Sequence, residues 1–424
     1  MCGIALLTIR FSLPVVRFSF FIVPAPPASQ LTKTLSGSEI CLWRETPIEV
    51  AMEGNKNRAD SFDRTQFHVV LDTTTICNLR CRQCFHSLYS VHRIPYRQHE
   101  MPPALFEKIL TEFSGHMYTL AFSCSAEPFT NQDFHRYLAL VRRHVPPSIP
   151  KRIATNGLLI NEALARDLIE TGLDSLIISM DGARRESYNA IRRGGDFDRL
   201  MARLDLLNRL KDEKGSERPE LTFNVTLTRS NLEELPLFVE LAHEKKVAEV
   251  SFQHLVPFRG LNLKHEALFY ENRRKVRQVF DRTRKRAAEL GVRLGNLLDI
   301  PGSLQCFGTL LADMVRRWIR PRDGNYCNLA WQIVVFNSRG DVFPCFCWGS
   351  EPPMGNLRKQ AFREIWESER YQRLRAELGG FFPLRQCCLD CSHMGRRKLT
   401  RRSFREQDFH PELASPIPAP GEDT

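Results

Sequence analysis

The sequence predicts an α/β fold: a parallel sheet, open or curled into a partial (β/α)6 TIM-type barrel, followed by a small C-terminal cysteine-rich domain built from a β-hairpin and a helix. Two observations support this prediction. Between residues 67 and 260, apolar strand-like runs alternate with amphipathic helix-like runs, which is the pattern of a parallel sheet covered by helices. In addition, most of the 13 cysteines fall into two groups, at 77–84 and 327–391. Such grouping fits two metal sites better than a disulfide network, which is typical of much shorter secreted chains.

Six segments are predicted to be strands, because they are rich in apolar and β-branched residues and are bounded by turn residues. These segments are 67–75, 117–124, 151–155, 175–180, 221–228 and 249–255. The carboxyl ends of parallel strands meet at one edge of a sheet, where such folds place their functional groups. We therefore expect the site at that edge.

Four intervening segments have apolar residues at helical spacing. These segments are 103–113, 161–171, 197–211 and 232–246. A further charged helix is predicted over 268–290, followed by an extended stretch from 292 to 301. A predicted helical segment therefore separates each pair of successive predicted strands except 117–124 and 151–155.

The chain of 424 residues is long enough for one large domain and a smaller one. Lys and Arg number 60 and Asp and Glu 49, a net charge of +11. Much of the basic excess lies in the predicted helix 268–290 and in the segment 396–405. We interpret both as solvated surface, and we expect no nucleic-acid partner.

Residues 1–62 are predicted to be a disordered extension, and Met52 is a plausible alternative start of translation. The apolar run from 4 to 23 is interrupted by Arg10, Pro14 and Arg17. An arginine in the middle of a bilayer costs roughly 2.5–3.5 kcal/mol on insertion scales. We therefore expect no membrane anchor here.

Three thiols, Cys77, Cys81 and Cys84, directly follow the first predicted strand at spacings of three and two residues. They are one ligand short of a four-coordinate site, which leaves a position for a substrate or a cofactor. Thiolates are soft ligands that suit zinc or an iron–sulfur cluster. A zinc site completed by a distant His or Cys is the alternative that the spacing leaves open.

Polar residues also follow the next three predicted strands. They are Glu127 in Ser125-Ala126-Glu127-Pro128, Asn156 in Thr155-Asn156-Gly157, and Ser179 and Asp181 in Ser179-Met180-Asp181-Gly182. Because parallel strands end at one edge, these side chains are expected near the three thiols.

Together these residues resemble the motifs of the radical S-adenosylmethionine (SAM) superfamily. In that family three thiolates hold a [4Fe-4S] cluster, and the fourth iron chelates the amino and carboxylate groups of SAM. The resemblance implies that Cys77, Cys81 and Cys84 ligate the cluster. Two departures from the family pattern are Ser125-Ala126 in place of two glycines and Gln83 in place of a large apolar residue.

The same resemblance implies which residues contact SAM. Ala126 and Glu127 match the element that holds its amino group, and Asn156 matches the Asn of the family's Thr-Asn-Gly. Ser179 and Asp181 match the residues that reach its ribose or carboxylate. Arg192, or its neighbour Arg193, is similar to the arginine that pairs with the carboxylate, a fork that a guanidinium fits.

In the second group, the turn 337–341 predicts a hairpin that brings Cys327 and Cys345 to the same end of two strands. Cys388 and Cys391 form a C-x-x-C clip. Four thiols in this pattern suit zinc or a [4Fe-4S] cluster.

The stretch resembles the SPASM domain that follows the radical SAM domain in many peptide- and small-molecule-modifying enzymes. The matching elements are Cys-x12-Gly-x4-Cys, Gly-Asn-Leu at 355–357 and the final C-x-x-C. The resemblance implies one auxiliary [4Fe-4S] cluster on Cys327, Cys345, Cys388 and Cys391, with Cys347 and Cys387 as alternates. The remaining cysteines, Cys2, Cys41, Cys124 and Cys306, are expected to have no metal.

The predicted domains are an N-terminal extension at 1–62, a radical SAM core at 63–260 and a helical connector at 261–325. A SPASM domain at 326–395 and a basic, disordered tail at 396–424 complete the chain.

The resemblance implies a radical SAM enzyme that cleaves SAM reductively and abstracts hydrogen from a substrate. A ribosomal peptide is the expected substrate, with oxidation or epimerisation of a small carbohydrate or aminocyclitol as the alternative. A zinc-binding, nucleic-acid-associated module is a remote alternative. The expected partners are the substrate and a one-electron donor such as flavodoxin or ferredoxin, in the reducing cytoplasm.

Overall fold

The structure is a computed structural model, and it describes residues 61–297 almost throughout and the C-terminal region in parts. The described residues are 61–87, 98–122, 126–258, 260–297, 327, 329–346, 348, 351–379 and 388. The predictions for residues 1–60 and for the tail at 396–424 lie outside them.

All six predicted strands are present, and each begins within one residue of its predicted start. They are β1 (Phe67–Leu71), β2 (Met117–Phe122), β3 (Lys151–Thr155), β4 (Ser175–Ser179), β5 (Glu220–Leu227) and β6 (Glu249–His254). A short strand in the connector and three in the C-terminal region follow. They are β7 (Arg293–Gly295), β8 (Ile333–Phe336), β9 (Asp341–Phe343) and β10 (Gly355–Asn356).

Helices lie between the strands; those over 103–112, 162–170, 197–214 and 235–244 match predicted segments, whereas those over 134–144 and 185–191 were not predicted. Those of the first part are α1 (Pro103–Glu112), α2 (Phe134–His144), α3 (Glu162–Glu170), α4 (Arg185–Ile191), α5 (Phe197–Lys214), α6 (Leu235–Glu244) and α7 (Arg273–Leu290). Those of the C-terminal part are α8 (Leu329–Gln332), α9 (Phe362–Glu367) and α10 (Glu369–Gly379).

The described strands form one sheet in the order β10-β9-β8-β1-β2-β3-β4-β5-β6-β7. The strands from β8 to β7 pair in parallel, and β9 and β10 pair antiparallel. β7 and β10 are the two edges, so the barrel is partial, as predicted.

The cysteine-rich hairpin joins this sheet through β8, which lies parallel to β1 with His68 opposite Ile333. β1 therefore has a partner on both sides, and all five of its residues are buried. The helix α9 packs on the same strand, since the Trp366 ring lies edge-on to Phe67 at 4.8 Å between centroids. The barrel and the C-terminal region thus share one apolar core.

Helix ends follow local chemistry. The Asn161 side chain accepts a hydrogen bond from Leu164 N at the start of α3, and Asp196 does the same from Arg199 N at the start of α5. α5 and α7 end at Gly215 and Gly291, both left-handed. None of the helices in the described ranges is long and apolar enough to cross a bilayer.

Candidate active site

The three cysteines that follow β1 lie on a loop, residues 77–84, that we call the cysteine loop. Its backbone is tied to the segment after α4, because Arg80 N donates to Arg193 O (2.9 Å) and Arg82 N to Ile191 O (2.8 Å). Just before the loop, Ile76 O accepts from Glu127 N (3.1 Å). The loop is therefore held to the end of α4 and to the segment that follows β2.

All three thiols of the loop are half-buried and outside any disulfide of the described residues. Burial raises the pKa of Cys77 to about 11 and that of Cys84 to about 12, and it also raises the pKa of Cys81. The Cys81 thiolate contributes to the rise at both neighbours, so the three groups repel one another when ionised. A bound cation relieves that repulsion, because metals bind the deprotonated thiolate.

The spacing of the thiols bears on which metal group they suit. Within the described ranges, no group of three or more His, Cys, Asp or Glu side chains is arranged to hold a single ion. A single zinc ion draws all its ligands onto one atom, whereas an iron–sulfur cluster binds each thiolate at a different iron. Each of the three thiols could therefore serve one iron of such a cluster.

Glu127 joins the ends of β2 and β3. Its carboxylate is buried and accepts from Thr155 Oγ1 (2.7 Å), Asn156 N (2.7 Å) and Phe129 N (3.2 Å). Burial raises the pKa of Glu127 to about 7, although the three hydrogen bonds favour its ionised form. The preceding Ala126 is half-buried.

Asn156 connects the end of β3 to the cysteine loop. Its Nδ2 donates to Asn78 Oδ1 (2.8 Å), and its Oδ1 accepts from Leu158 N (3.0 Å). The turn needs Gly157, whose φ is +78°. A Cβ at Gly157 would lie 2.7 Å from Leu200 Cδ1.

Asp181, after β4, has the most constrained side chain of the site. Its residue exposure is 0%, and three donors reach its carboxylate. Thr226 N donates to Oδ1 (2.8 Å), while Gln83 Nε2 (2.7 Å) and Arg192 Nη2 (2.8 Å) reach Oδ2. Ser179 ends β4 and is half-buried opposite Asn224.

Arg192 follows α4 and points back toward the cysteine loop. Its Nη2 pairs with Asp181, and its Nη1 lies 3.9 Å from Cys81 Sγ. Its Nε is buried and has no hydrogen-bond partner among the described residues. Burial is the largest single influence on Arg192 and lowers its pKa, but Asp181, Cys81 and Tyr188 together outweigh it, so the pKa lies above its usual value and the guanidinium stays charged.

The structure thus brings most of the predicted residues together: Glu127 and Asn156 form one cluster, and Asp181 and Arg192 form a second around Cys81. Sequence reasoning missed the partners Asn78 and Thr226. It noted Gln83 only as a departure from the family pattern, and that departure was the available signal for its contact with Asp181.

In the second group, the described cysteines are Cys327, Cys345 and Cys388, and each is half-buried. Cys327 and Cys345 pack against one small cluster of Val70, Leu329, Ile333 and Val335, so the hairpin brings them to the same place. The predictions for Cys347, Cys387 and Cys391 lie outside the described residues, as do those for the other four cysteines.

Comparison with known families decides the assignment. Residues 71–242 match the model of the radical SAM superfamily, and residues 327–392 match SPASM, an iron–sulfur cluster-binding domain. Together the two matches cover more than half of the chain. The chain belongs to the radical SAM superfamily. Its cofactors are therefore a SAM-binding [4Fe-4S] cluster in the radical SAM domain and auxiliary iron–sulfur chemistry in the SPASM domain, as the motifs predict.

Several relatives of this radical SAM protein are known. Fe-coproporphyrin III synthase of Methanosarcina barkeri is 26% identical over 70% of this chain and 73% of its own length. A PqqA peptide cyclase of Xanthomonas oryzae is 23% identical over 72% and 76%, respectively. The solved structure of Streptococcus suis SuiB bound to precursor peptide SuiA has a TM-score of 0.55 at 17% identity, covering 74% of this chain and 67% of SuiB. That likeness confirms the fold.

Proposed function

We propose that this protein cleaves SAM reductively and uses the resulting radical to modify a peptide. When bound, the cluster and SAM would supply the radical chemistry: one electron passed to SAM would give methionine and a 5′-deoxyadenosyl radical able to take hydrogen from the substrate. The protein contributes the binding, orientation and shielding of these groups.

The observation that supports this function most directly is the cysteine loop itself. Three half-buried thiols that lie on one loop and repel one another when ionised suit one corner each of a four-iron cluster. We assign Cys77, Cys81 and Cys84 to three irons, which leaves the fourth iron for SAM.

The residues around the loop are proposed to hold SAM. Arg192 has one buried N–H, at Nε, with no partner in the described ranges. We propose that Arg192 binds the carboxylate of SAM, because guanidinium N–H groups form strong hydrogen bonds to carboxylates. The backbone of Ala126 and the side chains of Glu127, Asn156 and Ser179 are proposed to contact the amino group and the ribose.

The second cysteine group is proposed to hold one auxiliary cluster on Cys327, Cys345, Cys388 and Cys391, with Cys347 and Cys387 as alternates. The shared packing of Cys327 and Cys345 supports their joint role. Such a cluster could accept an electron from a substrate radical, which would make a net two-electron oxidation possible.

A peptide substrate is supported by the names of two similar proteins, the PqqA peptide cyclase and SuiB with its precursor peptide. A tetrapyrrole is the second candidate, because Fe-coproporphyrin III synthase matches most of this chain at 26% identity. The electron donor is proposed to be a flavodoxin or ferredoxin of the cytoplasm.

The first test is reconstitution of the full chain with iron and sulfide under anaerobic conditions, followed by SAM and dithionite. We expect about eight irons and eight sulfides per chain, as two cubane clusters require, and release of 5′-deoxyadenosine. Cys81→Ala should abolish that release, whereas the matched control Cys306→Ala, outside both groups, should retain it. Full activity in Cys81→Ala would refute the site.

The second test addresses the substrate. Peptides encoded beside the gene, coproporphyrin and aminocyclitols are each added, and 5′-deoxyadenosine release and the mass of the added compound are measured. A mass change in a peptide alone supports the proposal. A change in coproporphyrin or in a sugar, with none in the peptides, would overturn the peptide assignment while leaving the SAM chemistry intact.

A further inference from the structure

The buried carboxylate of Asp181 joins three distant parts of the chain. Gln83 comes from the cysteine loop, Thr226 from β5 and Arg192 from the segment after α4. Asn231, whose exposure is also 0%, donates from Nδ2 to the backbone carbonyls of Asp181 and Thr226, both at 2.9 Å. Because its carboxylate is buried with three donors and its backbone carbonyl is also hydrogen-bonded, the Asp181 side chain is held in one position, and we call it the anchor.

This anchor determines where the guanidinium of Arg192 lies. The ion pair holds Nη2, and Nη1 is thereby directed at Cys81 Sγ. The backbone is fixed as well, because Arg192 N donates to Tyr188 O (2.8 Å) and Arg192 O accepts from Gly195 N (2.7 Å). A permanent positive charge therefore lies beside one thiol of the cysteine loop.

A positive charge and an N–H donor next to a cluster thiolate favour the reduced cluster, which carries one more negative charge. Net charge and hydrogen bonds to the sulfurs are among the terms that set the reduction potential of iron–sulfur clusters. The contact with Cys81 would therefore make the cluster easier to reduce.

We propose that Arg192 raises the reduction potential of the SAM-binding cluster through Cys81, and that Asp181 and Gln83 are positioning residues that hold it there. This inference rests on the proposed ligation of the cluster by Cys81. It gives Asp181 an indirect role in place of the direct contact with SAM that the family resemblance implies. It also gives Gln83 a function at the position where the family has a large apolar residue.

The test is a redox titration of the reconstituted full chain without SAM, monitored by electron paramagnetic resonance. The relevant cluster is identified by the signal that changes when SAM is added. Arg192→Gln should shift its midpoint potential to a more negative value, and Arg192→Lys should shift it less. The matched control Arg193→Gln removes an exposed neighbouring charge and should leave the potential unchanged.

Asp181→Asn separates positioning from simple electrostatics. Removing a negative charge near a cluster by itself raises the potential. In this variant, the amide oxygen of the new asparagine can accept from Thr226 N only if its NH2 group takes the place of Oδ2. The NH2 group then faces the donors of Gln83 and Arg192, and this repulsion displaces the guanidinium. We expect the midpoint potential to shift to a more negative value in Asp181→Asn. We expect a smaller negative shift in Gln83→Leu, which changes no charge.

Each contrary result has a definite meaning. An unchanged potential in Arg192→Gln and Arg192→Lys, with full iron content, would overturn the role of Arg192. A positive or absent shift in Asp181→Asn, or a loss of SAM affinity at unchanged potential in Gln83→Leu, would overturn the positioning roles. A SAM-sensitive signal that survives Cys81→Ala would instead refute the proposed function.

Discussion

His68 is a titratable residue that the fold forces to remain neutral. It lies in β1 with 3% exposure, and its Nδ1 is 2.8 Å from Thr119 Oγ1. Burial, with a smaller contribution from Arg152, lowers its pKa from 6.5 to about 4. Because the folded-state pKa lies below the unfolded value, the unfolded chain binds the extra proton first, and stability is lost as the pH falls from 6.5 toward 4.

The first prediction follows from this loss of stability at low pH. Between pH 7.5 and 5.5, His68 should remove about 1.4 kcal/mol from the free energy of unfolding, the linkage value for pKa values of 6.5 and 4. Urea unfolding of the full chain at both pH values measures it. His68→Asn should lose this part of the pH dependence, and the matched control His243→Asn replaces an exposed histidine. Equal pH dependence in the wild-type protein and in His68→Asn would contradict the prediction.

Single residues also show where sequence reasoning was sufficient. The spacing of Cys77, Cys81 and Cys84 was enough to predict that they share one loop, as they do, whereas their role as ligands stays a prediction. The contact between Gln83 and Asp181 spans 98 residues of sequence. Its geometry depends on how β4, β5 and the cysteine loop pack together, and no local sequence pattern predicts that packing.

At the scale of elements, periodicity and turn chemistry predicted the first six strands and four of the helices between them, but not those at 134–144 and 185–191. The strand β7, three residues long, was predicted only as an extended stretch, because three residues are too few for a period to be visible. The first strand was predicted four residues too long. Residues after Leu71 are rich in threonine and look like a strand, but they lead into the cysteine loop instead.

The turn after β3 gives a second prediction. Gly157→Ala meets a left-handed φ of +78° and a Cβ position 2.7 Å from Leu200 Cδ1. The matched control Gly172→Ala has a φ of +63° and no atom within 4 Å of its Cβ. The control should lose about 1–2 kcal/mol of stability from backbone strain alone, and Gly157→Ala should lose about 1–3 kcal/mol more from overpacking.

Urea unfolding of both variants measures that difference. SAM affinity gives an independent measure, because Asn156 precedes the glycine and is proposed to contact SAM. Equal losses of stability in the two variants would show that Leu200 moves aside without cost.

At the scale of the whole molecule, the two regions that match different family models are joined by one sheet. The parallel pairing of β8 with β1 could not be predicted from the sequence, because parallel partners far apart in the chain leave no turn signal between them. The order of the motifs predicted two cysteine sites. How the C-terminal region packs against the barrel depends on contacts such as that between Phe67 and Trp366.

The third prediction tests this joint core. Trp366 is fully buried against Phe67 and Tyr371, and Trp366→Ala should cost about 3–5 kcal/mol of stability. Thermal unfolding should show the loss as a lower midpoint for the barrel as well as for the C-terminal region. Tyr270→Ala, which removes an aromatic ring that is 48% exposed, is the control. A barrel transition that stays in place in Trp366→Ala would show that the two regions unfold independently.

The pairing of β8 with β1 also has a consequence for synthesis on the ribosome. β1 is among the first strands to emerge, yet residues 333–336, which cover one of its edges, are made long after the rest of the barrel. Until then the nascent chain presents the unpaired backbone edge of a strand whose five residues are all buried in the folded protein, the kind of edge that recruits other chains or chaperones. Translation of the C-terminal region is thus the step that closes this edge.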